Sequence, residues 1–361
     1  MIRIWDSGLT TSRSETPRYE SKRRKGHQYE VRCVLFSPNG KCAVSGSMDR
    51  TIRVWNVESG EELNLPMTAR GSVVTMAFFP DGSQLVSGSL DGGVIIWDMT
   101  HQSAPPVVFG GHEDRVWAID VSPDAAKIIS CSQDRTIRVW DAHSGESLSV
   151  ITEHGTDVLA LTLSFSADGT RFASGAGNSV RIWNATNYTQ LLQTSLTEEP
   201  HSTSIHSVAF SPDDKRIICS STYHTSAIDS VSGRCISIAQ HPECATFSIK
   251  PQDTIGIINQ LGFIIDFRTG RPISRLPPLL PPGSITASAS TKHSFMLGTD
   301  TGRVFIIHFP PFLFTSPETQ TSVSQDKTCN KSNHLPVEMY YWPNQGPVSP
   351  LVCIANSHLH A

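Results

Sequence analysis

The sequence predicts an all-β protein assembled from a repeated unit of four short antiparallel strands, and three observations carry that expectation. First, a string close to "SQDRTIRVWD" (132–141) recurs as "SMDRTIRVWN" (47–56), "SLDGGVIIWD" (89–98) and "NSVRIWN" (178–184), with a shorter echo, "IRIWD", at 2–6. Second, the tryptophans that mark these strings, Trp5, Trp55, Trp97, Trp140 and Trp183, lie 50, 42, 43 and 43 residues apart. Third, each interval holds the same succession of apolar runs and turn residues. A period in the low forties overrides the two or three domains that 361 residues would otherwise suggest.

Within a unit the strands follow in order. An alternating segment such as "VRCVLFSP" (31–38) or "VWAIDVSP" (116–123) reads as the first strand, with period-two burial. The turn after it, "SPNG", "FPDG", "SPDA" or "SADG", supplies Pro, Asn, Asp and Gly where a tight hairpin needs preset or positive backbone angles. A second apolar strand follows ("KCAVSGS", "SQLVSGS", "AKIISCS"), then an Asp-containing turn, then the third strand ending at the tryptophan. The tails "VESGEELN" (57–64) and "AHSGESLSV" (142–150) give a further turn and a fourth strand. One such sheet cannot bury both of its faces, whereas sheets stacked radially about an axis can.

These residues resemble the WD40-repeat family of β-propellers. The resemblance is fullest where Gly26-His27 precedes Trp55-Asn56 and Gly111-His112 precedes Trp140-Asp141. Other units are eroded. The second has Ala69 in the histidine slot, and the fourth has His154 but Gly177 or Asn178 in place of the turn Asp. A fifth has His201 and Ile228-Asp229, a sixth (246–270) has Ile265-Asp266, and a seventh (284–309) keeps Asp300 and little else. The resemblance implies a seven-bladed propeller over 27–309, with clear repeats at 27–185 and degenerate ones at 186–309. It also implies a buried hydrogen-bonded tetrad per repeat: His27, Ser45, Asp49 and Trp55; His112, Ser130, Asp134 and Trp140; and Ser87, Asp91 and Trp97 without the histidine. Contacts in this family are often made by residues flanking the tetrad on the top face. Here these are Glu30, Arg32 and Met48; Ser72, Val74 and Leu90; Arg115, Trp117 and Gln133; Asp157 and Leu159; and Ser204 and His206. Trp117 beside Arg115 pairs two residue types enriched at interface hot spots, unless the indole packs into the propeller itself.

The same inventory argues against other classes. Ser, His and Asp recur together at matching offsets in several units, as a structural staple does, whereas a catalytic triad occurs once. There is no G-x-S-x-G elbow and no Gly-rich phosphate loop before a helix. The eight cysteines form no C-x-x-C pair, so no zinc site is expected, and no cofactor. A net charge of −4 with 17 % charged residues gives no electrostatic argument for nucleic acid. No signal peptide and no apolar run of the ~18–20 residues a membrane helix needs are present, which predicts an intracellular protein with reduced thiols. Protein or peptide partners are the expectation that remains, with no small-molecule substrate and no membrane.

The ends differ from the middle. Residues 1–26 read as a partial repeat strand followed by a Ser/Thr-rich linker and the basic cluster Lys22, Arg23, Arg24 and Lys25, which is an exposed loop, a nuclear-import signal or a patch for an acidic partner. Residues 310–361 are rich in Pro, Ser and Thr and read as a mostly disordered tail, with one aromatic cluster, "EMYYWPN" (338–344). "MIRIWD" looks like the closing strand of a repeat whose first two strands are missing. Either the seven units close a ring on their own, with a strand near 17–21 completing the last blade, or Met1 lies within a longer array. Repeats so alike are similar to those of fungal NACHT-type WD40 proteins, where such an array is the recognition domain.

Overall fold

In the computed structural model the described residues are 3–6, 26–63, 65–101, 104–152, 160–196, 205–221, 224–240, 255–258, 263–266, 271–275, 285–291 and 294–308. The basic cluster, Asp157, Leu159, His154, His201, Ser204 and the tail beyond 308 lie outside them. All the elements among the described residues are strands, and no helix there is long and apolar enough to cross a membrane.

The chain opens with β1 (Arg3–Asp6), and then sheets follow one another in sequence. The first holds β2 (Val31–Phe36), β3 (Cys42–Ser47), β4 (Thr51–Asn56) and β5 (Met67–Thr68). The second holds β6 (Val73–Phe78), β7 (Gln84–Ser89), β8 (Val94–Asp98) and β9 (Val107–Phe109), and the third β10 (Val116–Val121), β11 (Lys127–Ser132), β12 (Ile137–Asp141) and β13 (Ser147–Ile151). The fourth is β14 (Ala160–Phe165), β15 (Arg171–Ala176), β16 (Ser179–Asn184) and β17 (Gln190–Ser195). The fifth is β18 (Ile205–Phe210), β19 (Arg216–Ser221), β20 (His224–Asp229) and β21 (Cys235–Gln240). A three-stranded sheet follows, β22 (Ile255–Ile258), β23 (Phe263–Asp266) and β24 (Arg271–Arg275). The last contains β25 (Ile285–Ser290), β26 (Ser294–Thr299) and β27 (Val304–His308). Every pairing is antiparallel.

β1 corrects the reading of "MIRIWD". It pairs antiparallel with β27, from Arg3 opposite His308 to Asp6 opposite Phe305, and so supplies the outermost strand of the last sheet. The place expected for a strand near 17–21 is filled by 3–6. In the first sheet the expected fourth strand at 57–64 gives only a bridge between Trp55 and Glu62, and the strand itself lies later, at Met67–Thr68.

Turn chemistry explains why the strands break where they do. In the first hairpin of the first five units the fourth turn residue adopts a left-handed conformation: Gly40, Gly82, Ala125, Gly169 and Asp214. Ser37 closes the first of these turns by accepting from Gly40 N at 2.8 Å while its own N–H reaches Cys42 O at 2.8 Å. The residue after the turn Asp is also left-handed, at Arg50, Gly92 and Arg135.

The apolar residues form layers between sheets. Trp55 packs with Ala287, Met296, Val304 and Ile306 of the last sheet, Trp97 with Val44, Ile52 and Val54 of the first, and Trp140 with Val86, Val94 and Phe109 of the second. Trp183 packs with Ile129, Ile137 and Val139 of the third. Each tryptophan thus fills the layer shared with the preceding sheet, and the first and last sheets share such a layer as well. Their contact is hydrogen-bonded too: Thr286 Oγ1 donates to Val31 O at 2.5 Å, His27 N to Gly302 O at 3.1 Å, and His308 Nε2 lies 2.6 Å from Val57 O. Adjacent sheets approach closely where a second-strand residue has no side chain. A Cβ on Gly46 would stand 2.7 Å from Val73, and one on Gly88 would stand 2.6 Å from Val116.

Candidate interaction face and the buried staples beneath it

Two sets of side chains come together as closed networks. Trp55 Nε1 donates to Ser45 Oγ at 2.8 Å, Ser45 Oγ lies 2.7 Å from His27 Nε2, and His27 Nδ1 lies 3.0 Å from Asp49 Oδ2. In the third sheet Trp140 Nε1, Ser130, His112 and Asp134 repeat the arrangement at 2.8, 2.7 and 2.8 Å. A neutral imidazole with its proton on Nδ1 uses every group once. The indole N–H goes to the serine oxygen, the serine O–H to Nε2, and Nδ1–H to the carboxylate. The sequence reading missed a fifth member. Thr51 Oγ1 donates to Asp49 at 2.6 Å and Thr136 Oγ1 to Asp134 at 2.6 Å, and each threonine's backbone N–H donates to the same oxygen at 2.9 Å. The signal was present as the "DRT" that follows both turns. Gln28 N and Glu113 N complete the donor sets at 2.9 and 3.1 Å.

The eroded units lose members in an orderly way. In the second sheet Trp97 Nε1 still donates to Ser87 Oγ at 2.8 Å, but with Ala69 buried in the histidine slot Asp91 turns away, accepting from Ser89 Oγ and from Gly93 N at 3.4 Å. Asp91 is therefore a turn residue and no member of a tetrad. In the fourth sheet Trp183 Nε1 donates to Ser174 Oγ at 2.9 Å, and Ala176 pairs directly with Ser179, so the turn is one residue shorter and has no place for an Asp. In the fifth sheet strand register puts Cys219 where Ser45 stands and Ile228 where Trp55 stands, and both are buried. In the last sheet Leu297 and Ile307 take those places. There Thr301 falls at the turn-Asp position and accepts or donates to Thr299 Oγ1 at 2.9 Å, whereas exposed Asp300 corresponds to Met48. Asp300 is thus a surface position and not the staple residue the sequence suggested.

Above the staples lies a continuous strip of partly exposed residues. Met48 N donates to Glu30 O, Leu90 N to Ser72 O and Gln133 N to Arg115 O, at 2.8 to 2.9 Å, which joins turn and first strand within each sheet. Ser72 Oγ reaches Met48 O at 2.9 Å and joins the first sheet to the second. Glu30 and Arg32 form an ion pair at 3.0 Å. Arg115 is exposed, Gln133, Leu90, Val74 and Met48 are half-buried, and Trp117 packs against the buried cluster that includes Ile129, Ile137 and Leu163, with its indole N–H buried and without a hydrogen-bond partner among the described residues. Among the described residues a bulge recurs at the second residue of the first strands β2, β6, β10, β14, β18 and β25: register shifts at Val31/Cys33, Val73/Thr75, Val116/Ala118, Ala160/Thr162, Ile205/Ser207 and Ile285/Ala287. Bulges of this kind re-aim a side chain. They single out Arg32, Val74, Trp117, Leu161, His206 and Thr286. The register therefore assigns Leu161, and not Leu159, to the place that Trp117 holds, because the segment before β14 is two residues longer than its counterparts when counted from His154.

Comparison with known proteins decides the family. The profile of the WD domain, G-beta repeat, matches residues 19–56, 64–98, 104–141, 145–184 and 192–231, together more than half of the chain. The chain belongs to the WD40-repeat family. Among curated WD-repeat relatives it is 33 % identical over 213 residues to the small ribosomal subunit protein RACK1 of Drosophila melanogaster, covering 58 % of this chain and 64 % of that protein. It is 28 % identical to protein tipD of Dictyostelium discoideum (62 % of this chain, 36 % of that protein). It is also 28 % identical to transcription initiation factor TFIID subunit 5 of Caenorhabditis elegans (50 % and 27 %). The chain thus spans less than two thirds of the length of each of these relatives.

The WD40 staple reproduces the Ser–His–Asp order of a hydrolase triad, with serine oxygen on Nε2 and carboxylate on Nδ1. Its burial prevents that chemistry. Ser45 and Ser130 are 0 % exposed, and each oxygen already accepts an indole N–H, so no acyl group can reach it. Burial holds His27 and His112 below the ordinary histidine value despite the pull of Asp49 and Asp134. Burial also opposes ionisation of Asp134, but donors from Thr136 and His112 outweigh it and hold the carboxyl at about 2. Asp49 is held down in the same way by His27, Thr51 and Gln28.

Two outcomes follow for this WD40 scaffold. Asp134→Ala strands a buried His112 N–H and should cost about 3 kcal/mol in chemical denaturation, the scale for removing one partner of a buried pair, whereas Asp91→Ala should cost only about 1 kcal/mol. Equal midpoints for the two variants would contradict the assignment. Because the folded histidines bind protons less readily than the unfolded ones, their contribution is complete above about pH 6.5 and is lost as pH falls below it. The urea midpoint should therefore be lower at pH 5.5 than at 7.5. His27→Gln with His112→Gln should flatten that difference without abolishing it, since burial also holds His206 down, at about 4. A midpoint unchanged between the two pH values would refute the neutral-imidazole staple.

Proposed function

We propose that this WD40 chain is a non-enzymatic platform, a closed seven-bladed propeller that binds protein or peptide partners on the strip above its staples. The observation that carries the reading is the contrast between the two layers. Polar groups with chemical potential are sealed, while Glu30, Arg32, Met48, Leu90, Arg115 and Gln133, directly above them, reach solvent. Relatives named as ribosomal and transcription-factor subunits support an assembly role. An intracellular location, cytoplasmic or nuclear, belongs to the same reading, supported by five free thiols at Cys33, Cys42, Cys131, Cys219 and Cys235. Lys22, Arg23, Arg24 and Lys25 are its candidate import signal.

A second reading makes the array the ligand-sensing part of a longer fungal NACHT-type receptor. It is favoured by the near identity of "SMDRTIRVWN" and "SQDRTIRVWD" within one chain. A native species of about the 39.5 kDa of this sequence, detected by immunoblot, would exclude it.

Trp117 is a poor probe of the strip, because truncating it removes packing from the layer between the third and fourth sheets. Arg115→Glu combined with Gln133→Ala changes two solvent-reaching side chains and leaves every staple intact. Affinity purification of the full chain from its source cells should then recover at least tenfold less of the partners held by wild type, at an unchanged denaturation midpoint. Equal recovery would overturn the assignment of this face.

A further inference from the structure

Three arginines stand two residues before a staple tryptophan: Arg53, Arg138 and Arg181. Arg53 shows what such a guanidinium takes as a partner. Its Nη1 donates to both carboxylate oxygens of Glu62, at 2.9 and 2.8 Å, and Glu62 is the residue bridged to Trp55. The same register puts Ser147 opposite Trp140 and Gln190 opposite Trp183. In the third sheet the carboxylate is therefore missing. Arg138 stacks over Trp140 at 5.8 Å, its Nε is buried, and it has no carboxylate or hydrogen-bond partner among the described residues.

The edge strand beside Arg138 exposes apolar side chains. Val150, its cross-strand neighbour, and Leu148 on the same edge strand are 46 % and 44 % exposed. β13 ends its sheet, and its sequence "SLSVI" has neither the proline nor the charge that commonly blunts an edge.

We propose that residues 337–342 of this chain, "VEMYYW", lie along the outer edge of β13 and place the Glu338 carboxylate on Arg138. Charge complementarity selects the segment. Of the carboxylates beyond residue 308, Glu318, Asp326 and Glu338, only Glu338 has apolar residues on both sides. Val, Tyr and Trp favour extended structure, and Pro336 and Pro343 bound a run of ordinary strand length. Strand addition to a free edge provides main-chain affinity, and the alternate side chains provide selectivity. A strand added there stands two spacings from β12, about 9.6 Å, within the joint reach of an arginine and a glutamate. The connection from His308 extends to about 100 Å, more than the span of a domain of this size, whose radius of gyration is about 19 Å. The seat is on the rim and is separate from the strip proposed to bind partners.

Hydrogen exchange of the full chain, read by mass spectrometry, tests this. In wild type the amides of 338–342 should exchange at least tenfold more slowly than an unstructured peptide. Ser147→Glu gives Arg138 the carboxylate that Glu62 gives Arg53 and should restore free exchange in 338–342, with β10–β12 still protected. Glu338→Gln leaves the propeller sequence untouched and should also loosen the segment. Free exchange in wild type, or protection that survives Ser147→Glu, would overturn the proposal. Protection that vanishes on dilution would also overturn it, by assigning the seat to the tail of a second copy.

Discussion

Everything in the two intact units hangs on one serine hydroxyl. Ser45 and Ser130 sit on the second strand, accept an indole N–H from the third and meet an imidazole that arrives from the loop before the first. One oxygen thereby fixes strand register, tryptophan rotamer and loop position. The tryptophan it orients is the side chain that fills the layer shared with the preceding sheet, so a bond within one sheet sets the packing between two. The imidazole passes the constraint to the turn carboxylate, whose backbone donors hold the turn shut.

The decay of this network around the molecule follows the cost of a half-satisfied buried polar group. Removing one partner leaves the other desolvated and unpaired, whereas replacing both by apolar groups is nearly neutral. The chain keeps to the allowed states. With no histidine, Asp91 withdraws to its own turn. With the turn shortened, no Asp is present to be stranded. Where the serine is lost the tryptophan is lost as well, to Cys219 with Ile228 and to Leu297 with Ile307. Thr299 and Thr301 close the last turn with a neutral pair of hydroxyls. The units that look degenerate in sequence are therefore consistent alternatives, polar or apolar throughout at the serine and tryptophan places.

Strand order, turn positions and both complete tetrads could be read from the residues because each rests on local chemistry repeated at a fixed period. What escaped rests on information that a string of letters does not separate. "IRIWD" has the wording of a third strand yet serves as an outermost strand, since its partner, β27, lies some 300 residues away and pairing at that distance leaves no local mark. Asp300 was matched to the staple by type, while register moves the role to Thr301. Leu161 displaces Leu159 because a two-residue insertion before β14 shifts the count from His154 but not the count from Ser174. Thr51 and Thr136 were in plain view in "DRT" but carried no weight until their hydroxyls were seen on the carboxylate.

The bulge at the start of the first strands β2, β6, β10, β14, β18 and β25 links scaffold to surface. An added residue at that point breaks the alternation, so the bulged side chain need not follow its neighbours: Arg32 is half-exposed and Trp117 packs back into the layer between the third and fourth sheets, while Val31 and Val116 beside them stay fully buried. Arg32, Val74, Trp117, His206 and Thr286 differ in size, charge and polarity, although the valines and isoleucines beside them hardly vary. Diversity at the bulge and uniformity next to it are what a scaffold needs if the surface is to change without disturbing the ring. The staples make that separation possible: their serine hydroxyls and imidazoles are buried, so the backbone is fixed from beneath and exposed side chains such as Arg115 take no part in the staple networks.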